Sequence, residues 1–346
     1  MKSGKVSGNV LKRSVLRQIH TKRNEIINGA GIGEDCAVFA LPDAERMVSC
    51  VREAAVAVQA ETDSARTEGS EPCVSMAHVI QKCANNLVVC GASPIAVMIT
   101  LLLPESVEEP MLKALMTEAE QACSGLSMQI VGGQTRISHG MTKPFAVVTG
   151  YGRSEESSIR TGKAAKPGHD IVVSKWIGLE GTALLAGQYR EKLLERYPAY
   201  LVDEAEGFDR YLSVIPEAAT AMKSGVCAMH DASEGGILAT LWELAEAAGV
   251  GLTIDLKKLP LRQETVEICE CLGCNPYELC SGGCLVMTCE DGLGLAAALE
   301  AEGIPAAIVG KITDSNDRII LNEDEVRYMD RPKQDEIFRL SEEGIS

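Results

Sequence analysis

Each half of the chain alternates short apolar segments with longer stretches whose apolar residues recur every three or four positions. That alternation restricts the fold to an α/β (α+β) class in which helices pack on sheets. In the first half the spacing predicts strands at 36–40, 47–51, 128–131 and 145–151, and helices over 74–91 and 108–126. In the second it predicts strands at 170–174, 252–255, 284–288, 307–311 and 318–321, with a helix near 293–302. The strongest helix covers 236–248, where Ile237, Leu238, Leu241, Leu244, Ala245 and Ala248 form one stripe and Gly249 ends it. Between the halves lies the polar stretch EESSIRTGKAAKPG, so domains are expected over 1–155 and 156–346.

A length of 346 residues suits two such domains. Aromatic residues are only 4%, which leaves aliphatic side chains, Met and Cys to fill the cores. A net charge of −16 disfavours nucleic acid and anionic membranes as partners. No apolar run is long enough to span a bilayer, and the basic stretch MKSGKVSGNVLKRSVLRQIHTKR lacks the apolar centre of a signal peptide. Together with thirteen cysteines, an odd number, this predicts reduced thiols and a cytoplasmic location.

Five stretches carry chemistry-bearing residues. In GAGIGEDCAVF, a glycine-rich loop presents Glu34 and Asp35 ahead of a strand; such carboxylates suit Mg²⁺, or are solvated turn residues. In CANNLVVCGASP, Asn85 and Asn86 lie side by side on a helix, about 100° apart around its axis. They either face a site or cross-link neighbouring backbone. In QIVGGQTRIS, a strand meets Gly132 and Gly133, followed by Gln134, Thr135 and Arg136: a close approach to an anionic ligand, or a tight turn. In MHDASEGG, His230, Asp231, Ser233 and Glu234 precede the strongest helix, whose start at Gly235 and Gly236 could attract phosphate. Ser233 or Asp231 could equally cap that helix. Finally, Cys269, Cys271, Cys274, Cys280, Cys284 and Cys289 cluster in spacings that match no familiar zinc or iron–sulfur pattern, which favours a structural role.

The order of these stretches, with KWIGLEGTALLA and NPYELCSGG, resembles the aminoimidazole ribonucleotide synthetase (PurM-like) superfamily over roughly residues 10–340. The branch it is most similar to contains the hydrogenase maturation factor HypE. The resemblance implies two α/β domains, each a small sheet with helices on one side. It also implies a homodimer in which the N-terminal sheets pair, and ATP with Mg²⁺ in a groove between domains. The implied chemistry is phosphoryl transfer to a small molecule, where positioning and charge neutralisation dominate catalysis. By the same resemblance Glu34 and Asp35 are metal ligands, and Asn85, Asn86, Gly132, Gly133, Gln134 and Thr135 line the nucleotide. Arg52, Arg136, Ser233, Glu234, Gly235 and Gly236 meet phosphate or substrate, and His230 and Asp231 are the catalytic candidates.

The chain departs from the family pattern at telling positions. Arg52 stands where an acid is expected, with Glu53 beside it, and Asn86 replaces the acid of an Asn-Asp pair. Gln134 and Arg136 replace the residues of a Gly-Gly-Asp-Thr or Gly-Gly-His-Thr-Glu loop. Ser233 stands for a Thr. The maturation factor carries its carbamoyl group on a terminal cysteine; here the last cysteine is Cys289, so that route is not expected. The leading reading is ATP-dependent phosphoryl transfer to a small-molecule, acyl or amide acceptor. The alternative is a catalytically silent paralogue that binds a nucleotide, another anion or a partner protein.

Overall fold

The computed structural model describes residues 4–5, 10–28, 38–39, 41–58 and 72–343. The glycine-rich loop with Glu34 and Asp35, and the polar segment 62–71, lie outside the described residues. Two compact units emerge. Among the described residues, the first takes those up to Val88 together with Ala92–Ile159, and the second takes Val89–Gly91 and those from Arg160 onward.

The first unit contains strands β1 (Gly4–Lys5), β2 (Ile26–Asn28), β3 (Val38–Phe39), β4 (Glu45–Ala55), β5 (Ser93–Leu103), β6 (Gln129–Ile137) and β7 (Phe145–Glu155). Its helices are α1 (Met76–Val89) and α2 (Glu109–Gly125). Five strands make one sheet in the order β1–β6–β5–β7–β4, with β5 and β6 parallel and the other neighbours antiparallel. Residues alternate across the sheet. Val97, Ile99, Leu101 and Leu103 are buried toward the helices, and α1 turns Ile80, Cys83, Ala84 and Leu87 inward. On the opposite face the β2–β3 pair and Leu41 cover Ala96, Met98 and Tyr151. Further along that face Leu102 and Val147 are half-buried, and on edge strand β4 Met47 and Val51 are 43% and 52% exposed.

The paired glycines of β6 form no turn. The strand runs through them to Ile137, with a register shift opposite Val97 and Met98. Gly133 has φ 142°, and a Cβ there would lie 1.8 Å from the carbonyl oxygen of Ile99. The close approach that glycine permits is to the neighbouring strand.

The second unit holds β8 (Asp170–Ser174), β9 (Ala228–Asp231), β10 (Gly251–Asp255), β11 (Leu285–Cys289), β12 (Ala306–Thr313), β13 (Arg318–Asn322) and β14 (Glu325–Tyr328). They form one sheet ordered β14–β13–β10–β12–β8–β11–β9. Around it lie α3 (Leu179–Gln188), α4 (Arg190–Arg196), α5 (Ala199–Glu206), α6 (Ile215–Lys223), α7 (Gly236–Ala248), α8 (Gln263–Leu272), α9 (Gly292–Ala301) and α10 (Glu336–Glu343). The stripe of α7 packs with Ile171, Val173, Ala228 and Val286. The alternate residues Val172 and Met287 are also fully buried, because α6 and α9 lie against β11 and β8 from the other side. The sheet is therefore covered on both faces at β8 and β11, while β14 at its far edge is exposed. A second core joins α3, α4, α5, α8 and α10 through Leu185, Tyr189, Leu193, Val202, Ile268 and Leu340. Among the described residues no helix is long and apolar enough to cross a membrane.

Replacing Gly133 by Ala should cost about 3 kcal/mol, since the methyl group meets backbone that cannot move aside. Urea unfolding measures this; a loss below about 0.5 kcal/mol would show that the Gly133–Ile99 approach is not fixed in solution.

Candidate functional site

In the first unit, strand alternation turns Cys50 and Arg52 of β4 toward α1. Arg52 pairs across the sheet with Val148, Val148 with Ile99, and Ile99 with Gly133, so these four form one row beneath the helix. From the end of that row the Arg52 guanidinium donates from Nη2 to Oδ1 of Asn86 at 2.8 Å. A hydrogen bond from a charged donor of this kind contributes about 1.5–3 kcal/mol. The adjacent asparagines divide their work. Asn85 is 0% exposed and its Oδ1 accepts from Gln81 Nε2 at 2.9 Å, one helical turn earlier. Asn86 is half-buried and holds Arg52. The Arg52 Nε is buried with no hydrogen-bond partner among the described residues.

Glu53, next along β4, points to the opposite face and is exposed. Within the GGQTR stretch, Gly133 and Thr135 share the face of Arg52, paired with Ile99 and Leu101. Gly132, Gln134 and Arg136 pair with Met98, Thr100 and Leu102 and lie on the face turned away from α1. Arg52, Asn85, Asn86, Gly133 and Thr135 are thus on one side of the sheet, and Gln134 and Arg136 on the other.

The donor set at Arg52 and Asn86 does not fit Mg²⁺. The one amide oxygen suited to a divalent ion already accepts from a guanidinium, and that positive charge would repel the ion. The same pair suits an anion, for which arginine presents several N–H groups in a rigid fork.

In the second unit, His230 and Asp231 are consecutive on β9 and so face opposite sides of the sheet. His230 is half-buried, with Nδ1 3.0 Å from the Asp231 carbonyl oxygen and Nε2 3.5 Å from Glu243 Oε2 on α7. Asp231 is buried on the side of α6. Close by, Lys175 closes β8 in a left-handed conformation and buries its ammonium. It donates to the carbonyls of Tyr211 at 2.8 Å and Ser213 at 2.6 Å, and pairs with Glu217 at 2.6 Å.

Neither Ser233 nor Asp231 caps α7, whose N-cap is Gly235 with no side-chain cap of its own. The cap comes from 100 residues downstream: Gly235 N–H donates to Asp335 Oδ2 at 2.7 Å. Gly236 N–H donates to the Ser233 carbonyl at 3.1 Å and Leu238 N–H to that of Tyr277 at 3.3 Å. Ser233 is half-buried and Glu234 exposed. The helix start expected to hold phosphate therefore holds a carboxylate of the same chain. Asp335 is 3% exposed and also accepts from Ile337 N–H at 3.0 Å. Burial pushes its carboxyl up to about 6, against backbone hydrogen bonds that pull it down; nearby Glu180 adds to the rise. Glu180 is itself buried and accepts from the Cys280 thiol at 2.8 Å. Lys175, Glu180 and Asp335 were not singled out from the sequence; Lys175 and Glu180 are lone charges in apolar stretches, whereas Asp335, in RPKQDEIF, carries no local signal.

The cysteine cluster is dispersed over α8, the loop after it and β11. All three of Cys269, Cys274 and Cys280 are free thiols: Cys269 and Cys274 share a hydrogen bond, and Cys280 donates one to Glu180. Among the described residues no group of three or more His, Cys, Asp or Glu is arranged to hold a metal. Two open depressions of about 700 and 510 Å³ lie along α2, and neither includes a residue singled out from the sequence.

Two family profiles match the chain: AIR synthase related protein, N-terminal domain, over residues 33–154, and AIR synthase related protein, C-terminal domain, over 166–322. Carbamoyl dehydratase HypE of Rhodobacter capsulatus is 28% identical over 233 residues, 66% of each chain. A putative hydrogenase expression/formation protein of Methanocaldococcus jannaschii is 27% identical over 59% of this chain and 58% of its own. The chain thus matches these relatives over less than two thirds of their length. Among solved structures, hydrogenase maturation protein HypE in complex with ATP superposes with a TM-score of 0.75 at 18% identity, covering 97% of both chains. The HypE–HypF complex gives a TM-score of 0.67 at 21% identity over 85% of this chain and 92% of that one. At these identities the structural likeness speaks for the fold alone.

Asp335 makes stability depend on pH. Its folded pKa lies above the unfolded value of about 3.9, so its contribution is full below that value and is lost as pH rises through about 6. Relative to Asp335→Asn, the wild type should gain about 1 kcal/mol on going from pH 7.5 to pH 5. Parallel stability curves for the two proteins, measured by urea unfolding, would contradict a titrating Asp335.

Proposed function

Because the chain belongs to the AIR synthase related protein family, we propose that it binds ATP on its N-terminal unit and transfers a phosphoryl group to a small acyl or amide acceptor. The observation that carries this reading is the hydrogen bond between Arg52 and Asn86, at two positions where the family pattern has acids. Two carboxylates balanced by a divalent ion carry little net charge. An arginine beside an amide carries a positive charge with no ion at all. Arg52 then meets the phosphates directly, and Asn86 fixes the guanidinium by its oxygen. No step is assigned to Mg²⁺ at this pair. In the second unit we assign proton handling to half-buried His230 rather than to buried Asp231. We take the protein to be cytoplasmic, as its charge and thiols suggest.

Calorimetric titration with ATP, with and without Mg²⁺, tests this together with an assay of ADP release. Binding that survives chelation of Mg²⁺, with slow turnover until an acceptor is supplied, is expected. No binding at millimolar ATP would remove the proposal. In the double variant Arg52→Asp, Asn86→Asp, binding should become Mg²⁺-dependent and Mg²⁺-ATP affinity should rise about tenfold or more, since a full charge near phosphate or metal is worth over 1 kcal/mol. Unchanged affinity would mean that these side chains do not meet the phosphates.

A second reading is favoured by Asp335. With the start of α7 closed by a carboxylate of the chain, the protein would bind nucleotide or a protein partner without turnover. The HypE–HypF complex is in keeping with a protein partner. Binding of ATP with no ADP release in the presence of any acyl or amide acceptor would select it.

We further propose a homodimer formed through the sheet face carrying Met47, Val51, Leu102 and Val147. Light scattering should report a dimer for the wild type and a monomer for Val51→Arg, which sets a charge in the apolar face. A monomeric wild type, or a dimeric variant of unchanged affinity, would rule this face out.

A further inference from the structure

Beneath α1, next to Arg52, lie two thiols that none of the chemistry above uses. Cys50 of β4 is half-buried and Cys83 of α1 is fully buried, and their sulfurs are 3.5 Å apart. Room for both is made by Gly150 of β7, the cross-strand partner of Cys50. A Cβ on Gly150 would lie 2.5 Å from the Cys83 sulfur and 3.3 Å from that of Cys50. The sheet thus leaves a gap one side chain wide and fills it with two sulfurs from different elements.

We propose that Cys50 and Cys83 form a site of reversible oxidation, closing to a disulfide by exchange with a low-molecular-weight disulfide such as oxidised glutathione. The sulfurs must approach by about 1.5 Å to reach bonding distance. Half-buried Cys50 can meet the incoming disulfide, and buried Cys83 can then resolve the adduct. In the first step the Cys50 thiolate attacks one sulfur of the glutathione disulfide, forming a mixed disulfide and releasing one glutathione thiolate. In the second, Cys83 loses its proton and attacks the Cys50 sulfur, releasing the other. Two protein thiols become one disulfide, and two electrons and two protons leave with two molecules of reduced glutathione.

The order of attack agrees with the surroundings of the two sulfurs. A hydrogen bond from Cys83, and then the nearby Arg52 charge, hold Cys50 below the usual thiol range. The hydrogen bond to Cys50 and burial push Cys83 up. Arg52 lies two residues from Cys50 on one face of β4, and Asn86 lies three residues from Cys83 on α1. The disulfide would therefore tie together covalently the strand and helix that the Arg52–Asn86 hydrogen bond already spans. Formation of the bond does not depend on nucleotide binding and is testable without it.

The experiment equilibrates the full-length protein with glutathione at a series of oxidised-to-reduced ratios. Free thiols are then alkylated and peptides mapped by mass spectrometry, with Cys90→Ser in the background because Cys90 shares a tryptic peptide with Cys83. The wild-type pair should lose two alkylatable thiols in a single step and yield a linked Cys50–Cys83 peptide, and reduction should restore both thiols. In Cys83→Ser, Cys50 should accumulate as the glutathione adduct; in Cys50→Ser, Cys83 should stay reduced at the same ratios. Failure to find the linked peptide at any ratio would overturn the proposal. So would a wild type in which Cys50 stops at the glutathione adduct.

Discussion

Helix α1 can lie close on its sheet because β7 presents glycines to it. Gly150 leaves room for Cys50 and Cys83, and a Cβ on Gly152 would come 3.1 Å from Ala92. The distance between helix and sheet lets the guanidinium of a strand residue reach the amide of a helix residue and brings two thiols into contact. A larger residue at Gly150 would lift the helix and undo both at once. Side chains of small volume thus position the polar chemistry, in keeping with the dense packing of protein interiors.

The Arg52 site and the second unit answer the demands of buried charge differently. At Arg52 a cation meets a neutral amide at a half-buried rim, where water can still help solvate it. In the second, charges are taken fully inside and given several partners: Lys175 has two carbonyls and a carboxylate, and Asp335 has backbone N–H groups. Removing ions from water costs several kcal/mol unless every donor or acceptor is met. Lys175 closes one strand against α6 and the turn before it, so its partners tie the α6 side of the sheet to the strand end. Asp335 ties the segment before α10 to the start of α7.

Much of the fold was legible as periodicity. The helix over 236–248 is found at those residues, where the apolar stripe and the closing Gly249 agree, and the strand at 170–174 likewise. β5 went unread because SPIAVMITLLL is a continuous apolar run without alternation: the β2–β3 pair covers part of its second face, so both faces tolerate apolar residues. α8 went unread because QETVEICECL is short and sets only Thr265, Ile268, Cys269 and Leu272 inward among charged residues. Gly132 and Gly133 look like a turn in isolation; only the backbone of Ile99, thirty-odd residues earlier, shows why glycine is needed. Of the candidate site, the unusual character of Arg52 and Asn86 was readable against a family pattern, but their pairing was not. Asp335 and Glu180 act on residues about 100 positions away, a separation that local spacing cannot report.

The carboxylate at the start of α7 has a further consequence in terms of competition. Asp335 is tethered to the helix it caps, so its effective concentration there is on the order of millimolar or more, whatever the protein concentration. A free anion arriving at Gly235 must exchange with that resident group, and the affinity measured for it is a difference between two anions. Weak anions would be screened out by the tether alone. Only a ligand with several phosphates, or one held elsewhere at the same time, could displace it.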